Sequence, residues 1–259
     1  MVGLMETSWR VPWLWRFLLF ISPAVVFPIC RLRVSGEVPA SLRRGPLILA
    51  ANHVSPVDPI VMTAACRKAR LAPRFMATGG IFQAPIAGAV MRRSGHIRVD
   101  RYTAQVARAL PDAAAALKDN SVVMVYPEGR IGLDPWMWPE RGKTGVGRMA
   151  GLSGAPVIPV AQWGAHAVLP YSAPKRIVSA VLRAMVRRPV VWVRFGEPVD
   201  LSGLTGSAGA RAMRATQRIV EGIDRTLEPL RVDEPQMPRF VDRTRPVDMS
   251  RVRPRAHRP

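Results

Sequence analysis

A histidine followed five residues later by an aspartate stands directly after a short apolar run. Asn52-His53-Val54-Ser55-Pro56-Val57-Asp58 follows Leu47–Ala51 (LILAA). A carboxylate that accepts from one imidazole nitrogen holds the ring in one tautomer and stabilises imidazolium. The other nitrogen can then take a proton from a hydroxyl. On a straight helix a spacing of five puts the two side chains on different faces. Pro56 and Pro59 impose a turn instead, which can bring them together. The same residues fit a plainer role. Ser55 to Asp58 has the form of a helix capping box with proline at the helix start, in which Asp58 only caps and His53 is a loop residue.

Either role needs a rigid element to hold the segment. LILAA is a continuous apolar run, as expected of a strand buried on both faces. Sites in open α/β sheets lie at the carboxyl ends of such strands. Further strands are expected at Arg74–Ala77, Ile97–Val99, Val122–Tyr126, Val157–Gln162 and Val190–Phe195. Helices are expected at Asp58–Cys66, Ile81–Met91, Tyr102–Lys118 (kinked or restarted at Pro111), Gly145–Leu152 and Ala208–Leu227. This alternation predicts an α/β fold with a mostly parallel, mixed central sheet flanked by helices. An N-terminal membrane-associating helical segment precedes it. The expected division is residues 1–33 for that segment, 34–230 for the α/β domain and 231–259 for a basic, Pro-rich tail.

The two ends differ sharply in composition. Phe17 to Cys30 is an uncharged stretch between Arg16 and Arg31. It is shorter than the roughly twenty residues a bilayer-spanning helix needs, and Pro23 and Pro28 interrupt it. Trp9, Trp13 and Trp15 alternate with Arg10 and Arg16 just upstream, a pattern suited to a membrane interface. A buried core helix is the plainer alternative. Residues 231–259 hold eight Arg and five Pro with no apolar period, which predicts a disordered tail dispensable for activity.

The 259 residues are 48% hydrophobic, enough for a full core, and carry a formal net charge of +20. A charge of this sign points to polyanions: an anionic membrane surface, phosphorylated molecules or nucleic acid. No base-reading motif supports the last of these. Cys30 and Cys66 make neither a disulfide framework nor a zinc site, and with four histidines no metal or cofactor is expected. Gly142-Lys143-Thr144-Gly145 is not a P-loop, because Met137 stands where its first glycine belongs. Lys143 remains a candidate phosphate contact just before a helix N-terminus. His96 reads as a spare polar residue, His166 as structural and Cys66 as a buried thiol.

The segment from Asn52 to Asp58 resembles the first motif of the glycerophospholipid acyltransferase family. Gly95-His96-Ile97-Arg98-Val99-Asp100-Arg101 resembles the second, and Tyr126-Pro127-Glu128-Gly129-Arg130 the third. Ala155-Pro156-Val157-Ile158-Pro159-Val160 resembles the fourth. All four stand in order. The resemblance implies transfer of a fatty acyl group from acyl-CoA or acyl carrier protein to the free hydroxyl of a lysophospholipid, with lysophosphatidate as acceptor. It implies a site on the cytoplasmic face of the cell membrane, monotopic or peripheral, with no cofactor. His53 would be general base and Asp58 its orienter. Arg101 and Arg130 would bind the acceptor phosphate, Glu128 and Gly129 would shape its pocket, and Asn52 and Lys143 would add substrate contacts. The third motif departs from the family's frequent E-G-T-R-S, since Arg130 stands one position early. Thr78-Gly79-Gly80 stands where members often carry a lysine. The alternatives are the same chemistry on a glycolipid or aminolipid, and an Arg-rich nucleic-acid-binding protein.

Overall fold

The computed structural model describes residues 9–100, 106–172, 176–234 and 236–254. Seven strands form one sheet: β1 (Arg31–Ser35), β2 (Leu47–Ala51), β3 (Arg74–Thr78), β4 (Ile97–Val99), β5 (Val122–Val125), β6 (Val157–Trp163) and β7 (Val190–Phe195). Their order is β1-β7-β6-β2-β5-β3-β4. Every pairing is parallel except β6 with β7. The sheet is therefore mixed and mostly parallel, as the strand–helix alternation predicts.

The LILAA run is the middle strand, and all five of its residues are buried. Alternation splits them between two cores. Leu47, Leu49 and Ala51 face a layer that includes α1 (Trp13–Val26) and α2 (Asp58–Lys68). Ile48 and Ala50 face α5 (Val106–Lys118), α6 (Gly145–Ser153) and α9 (Ala208–Leu227). A strand covered on both faces moves little, and it ends directly at Asn52 and His53.

Three expectations are corrected. The helix expected over Ile81–Met91 is two, α3 (Gly79–Gln83) and α4 (Pro85–Arg93). Ala84 between them is extended, with φ −64° and ψ 134°, because the ring of Pro85 disfavours helical backbone at the preceding residue. Of the kink or restart expected at Pro111, the restart is not seen: α5 runs through that proline as one helix, and residues 102–105 of the expected helix lie outside the described residues. Strand β1, with its alternating arginines, and helices α7 (Ala165–Val168) and α8 (Ile177–Arg187) were not expected, although α8 is strongly amphipathic.

Helix α1 has two faces. Trp15, Leu19, Ser22 and Val26 recur at helical spacing and are buried. The Trp15 ring meets Phe75 and His96 edge-on. On the opposite side Trp13, Phe17 and Phe20 are exposed, Trp13 by 76%. The core-helix reading thus holds for the buried face, and the opposite face is aromatic and exposed. Among the described residues no helix is long and apolar enough to cross a membrane.

The tail expected to be disordered lies on the domain over its described residues. Arg231 is 1% exposed, and its guanidinium sits over the rings of Trp138 (4.1 Å) and Trp163 (4.2 Å). Arg253 pairs with Asp224 of α9. Composition misleads here because these arginines bind carbonyls, acids and aromatic faces of the preceding domain. That replaces the apolar burial a tail of this kind lacks.

Candidate active site

The chain turns at Pro56 after leaving β2, and the turn folds Asp58 back onto the residues before it. Asp58 Oδ2 lies 2.7 Å from His53 Nδ1 and accepts the backbone N–H of Val54 (2.6 Å) and of Ser55 (2.9 Å). Asp58 is fully buried, whereas the His53 side chain is 17% exposed. Asp58 does not cap α2, whose N-cap Val57 has no side-chain cap bond. One carboxylate oxygen closes the turn and also holds the imidazole. With Nδ1–H donated to Asp58, Nε2 is the nitrogen left to accept a proton.

The rest of His53 is equally constrained. Its ring stacks on Tyr126, with centroids 4.3 Å apart and planes 21° from parallel. Its N–H donates to Glu128 Oε1 (3.0 Å), and its carbonyl accepts from the N–H of Gly132 (2.8 Å). Ser55 Oγ donates to the carbonyl of Leu169 (2.6 Å), which ties the turn to the segment after α7. First and third motifs are thus joined through backbone hydrogen bonds, 75 residues apart in the chain.

Several expected substrate contacts have other partners. Glu128 is 3% exposed and clamps the main chain of His53, while its Oε2 accepts from the N–H of Glu140 (3.4 Å). Burial pushes its pKa up to about 8, against the opposing effect of these N–H donors. Gly132 lies beneath this carboxyl, and a Cβ there would collide with it. Asn52 is 1% exposed and is a clamp between strands. Its amide donates to the carbonyl of Gln162 (3.0 Å) and accepts the N–H of Gln162 (2.8 Å). Gln162 Nε2 returns a bond to the carbonyl of Asn52 (2.7 Å). Arg130 donates to both carboxylate oxygens of Glu140 (3.2 and 3.1 Å) and to Asp248 (2.7 Å). The structure thus places Arg130 in an internal network with Glu140 and Asp248.

Gly129 and Lys143, two further expected contacts, lie against each other. Gly129 adopts φ 69°, a left-handed conformation that glycine takes without strain. The Lys143 side chain crosses it, and a Cβ on residue 129 would meet Cδ and Cε of Lys143 at 3.3 Å. Arg101 lies outside the described residues. Elsewhere, His96 Nδ1 accepts the N–H of Phe75 (3.1 Å), and burial lowers its pKa to about 4. Burial likewise lowers His166 to about 3, between the rings of Trp163 and Phe240. Both are neutral packing residues near pH 7. Burial raises the Cys66 thiol, which keeps it protonated and poorly nucleophilic.

Sequence reasoning missed Gln162, Glu140, Asp248 and Arg251, all now seen around the motifs. Only Glu140 carried a weak signal, as a lone acid among Trp138, Pro139 and Arg141.

A protein-family model described as Acyltransferase matches residues 31–163. The fold is also shared with the crystal structure of the 1-acyl-sn-glycerophosphate (LPA) acyltransferase PlsC from Thermotoga maritima. The TM-score is 0.62 at 22% sequence identity, covering 84% of this chain and 79% of that chain. Among curated proteins no match is found. The matched residues run from the first residue of β1 to the last of β6 and so take in the strand, turn and loop that fix His53, and on that match the chain belongs to the acyltransferase family.

Proposed function

We propose that this acyltransferase moves a fatty acyl group from a thioester, on coenzyme A or acyl carrier protein, to the hydroxyl of lysophosphatidate. The observation that carries the reading is the 2.7 Å contact of His53 with the buried Asp58 at the end of β2. In this reading His53 Nε2 removes the acceptor hydroxyl proton as its oxygen attacks the thioester carbonyl. An ester C–O bond forms, the C–S bond breaks, and the proton on His53 leaves with the thiolate. A thiol of pKa about 8.5 is a good leaving group without further help, so one base and two held substrates suffice. Lys143 beside Gly129, with Arg101, supplies positive charge for the acceptor phosphate. The Thermotoga maritima protein of the same fold is an LPA acyltransferase, which supports this acceptor. An acyl-transfer assay with acyl-CoA and acyl carrier protein over a panel of lyso-acceptors tests it. Preference for lysophosphatidate is expected, and preference for a glycolipid or aminolipid would replace that acceptor while leaving the chemistry.

We also propose that α1 lies in the cytoplasmic face of the cell membrane. Trp13, Phe17 and Phe20 line a groove of about 670 Å³ with Arg16, Arg67 and Arg70. Aromatic rings beside arginines suit the boundary between acyl chains and anionic headgroups. Burying each ring in lipid is worth about 1.5–3 kcal/mol. Replacing Trp13, Phe17 and Phe20 together by serine is therefore expected to lower partition onto anionic vesicles by more than about a hundredfold. Co-sedimentation measures this, and undiminished pelleting at high salt would remove α1 as the anchor.

A further inference from the structure

The loop from Tyr126 to Thr144, between β5 and α6, carries the third motif without a helix or strand of its own. Loops of this length in a compact domain need outside partners or drift. Here the partners come from the C-terminal segment. The Arg251 guanidinium donates to the carbonyl of Glu128 (3.0 Å) and to that of Arg141, and lies 3.5 Å from the Glu140 carboxylate. The carbonyl of Arg251 accepts the N–H of Arg141 (2.9 Å). Three residues earlier, Asp248 takes the second half of Arg130 (2.7 Å), and its N–H donates to the carbonyl of Leu133 (3.1 Å). Arg245 donates to the carbonyl of Asp134 (3.1 Å). Both ends of the loop are thus cross-tied by one short segment.

The acids in the loop explain why arginines do this. Glu128 and Glu140 are both buried, at 3% and 0% exposure, and in contact through the N–H of Glu140. A fully buried carboxylate such as Glu140 needs cations close by. The loop supplies Arg130, and the C-terminal segment supplies Arg251 on the other side of Glu140. Glu140 in turn holds the N–H of Leu133 (3.0 Å), and Glu128 holds the N–H of His53. The contacts therefore run without a gap from Arg251 through Glu140 and Glu128 to the main chain of His53.

We infer that Asp248 and Arg251 are positioning residues for acyl transfer, and that the C-terminal segment is a strap that sets the geometry of His53. This rests on His53 being the base, and it reverses the sequence expectation that the tail is dispensable. A small displacement of a catalytic group costs rate more than binding.

The test uses the full-length protein with acyl-CoA and whichever lyso-acceptor it turns over. Arg251→Met is expected to lower kcat by about ten- to a hundredfold, with both KM values within about threefold. Arg251→Lys restores part of the loss, since an ammonium reaches Glu140 but cannot also bridge two carbonyls. Asp248→Asn keeps shape and a hydrogen bond to Arg130 and is expected to lower kcat by about threefold to tenfold. Arg239→Ala, at an exposed pair with Asp233, serves as a tail control with unchanged kcat. Reduced kcat in both site variants, with partial lysine rescue, supports the strap. A lowered melting temperature with wild-type kcat per folded molecule overturns it. If Arg251→Met fails to fold, Asp248→Asn decides alone. Failure of the His53 reading shows separately, as full activity in His53→Ala.

Discussion

His53→Ala is expected to lower kcat by about 10²–10⁴-fold, the usual cost of losing a general base, in a protein that stays folded. The structure says why the fold should survive. The main chain at residue 53 is held by Glu128 and Gly132 through its own N–H and carbonyl, which alanine keeps. Asp58 keeps its bonds to Val54 and Ser55 when the ring is gone. What is lost is the stacking on Tyr126 and one hydrogen bond to a carboxylate, about 2–4 kcal/mol together. In a domain of this size that lowers Tm by about 5–15 °C. Steady-state rates beside a thermal melt make the check. A folded variant turning over near the wild-type rate would remove His53 from the reaction and leave the H-x4-D segment as a capped turn.

The second large effect is at Asp58, whose two roles a single substitution can separate. In Asp58→Asn the side-chain oxygen can still accept from Val54 and Ser55, so the turn before α2 persists. What disappears is the negative charge 2.7 Å from Nδ1 that stabilises imidazolium as the proton arrives. A hydrogen bond to a charged group is worth about 1.5–3 kcal/mol, so kcat is expected to fall about ten- to a hundredfold. Binding of both substrates should be nearly unchanged, because Asp58 is fully buried and cannot touch either. Separate titrations of donor and acceptor measure this. Wild-type kcat with only a lowered Tm would show that Asp58 serves the turn alone. Asp58→Ala should combine both losses, since it also leaves two buried N–H groups without an acceptor.

Most of the scaffold was readable from the amino acids, because its signals are local. A buried central strand must be apolar throughout, and LILAA, VVMVY and VIPVAQ announce β2, β5 and β6 almost to the residue. The amphipathic period of α9 and the turn-forming prolines around Asp58 are local in the same way. So is the His53–Asp58 contact itself, since five residues and two prolines are all that bring the two side chains together. The resemblance of four ordered segments named the reaction class that the family match now carries.

What the chain order could not disclose is every contact made across long separations. Glu128 reads as a pocket residue until its carboxyl is seen under the backbone of His53, and Asn52 until its amide is seen closed on Gln162, 110 residues away. Arg130 reads as a phosphate ligand until Glu140 and Asp248 are seen to hold it. The tail is the clearest case. A stretch rich in Arg and Pro has no apolar face, and composition scores it as unable to fold by itself. It does not fold by itself. It is ordered by buried carboxylates, carbonyls and indole rings that another part of the chain has already fixed in place. A hydrogen bond or ion pair leaves no period in the sequence of either partner. Local pattern therefore determined the strands, the helices and the His–Asp turn, and only the tertiary structure decided which polar side chains hold that turn and its loops together.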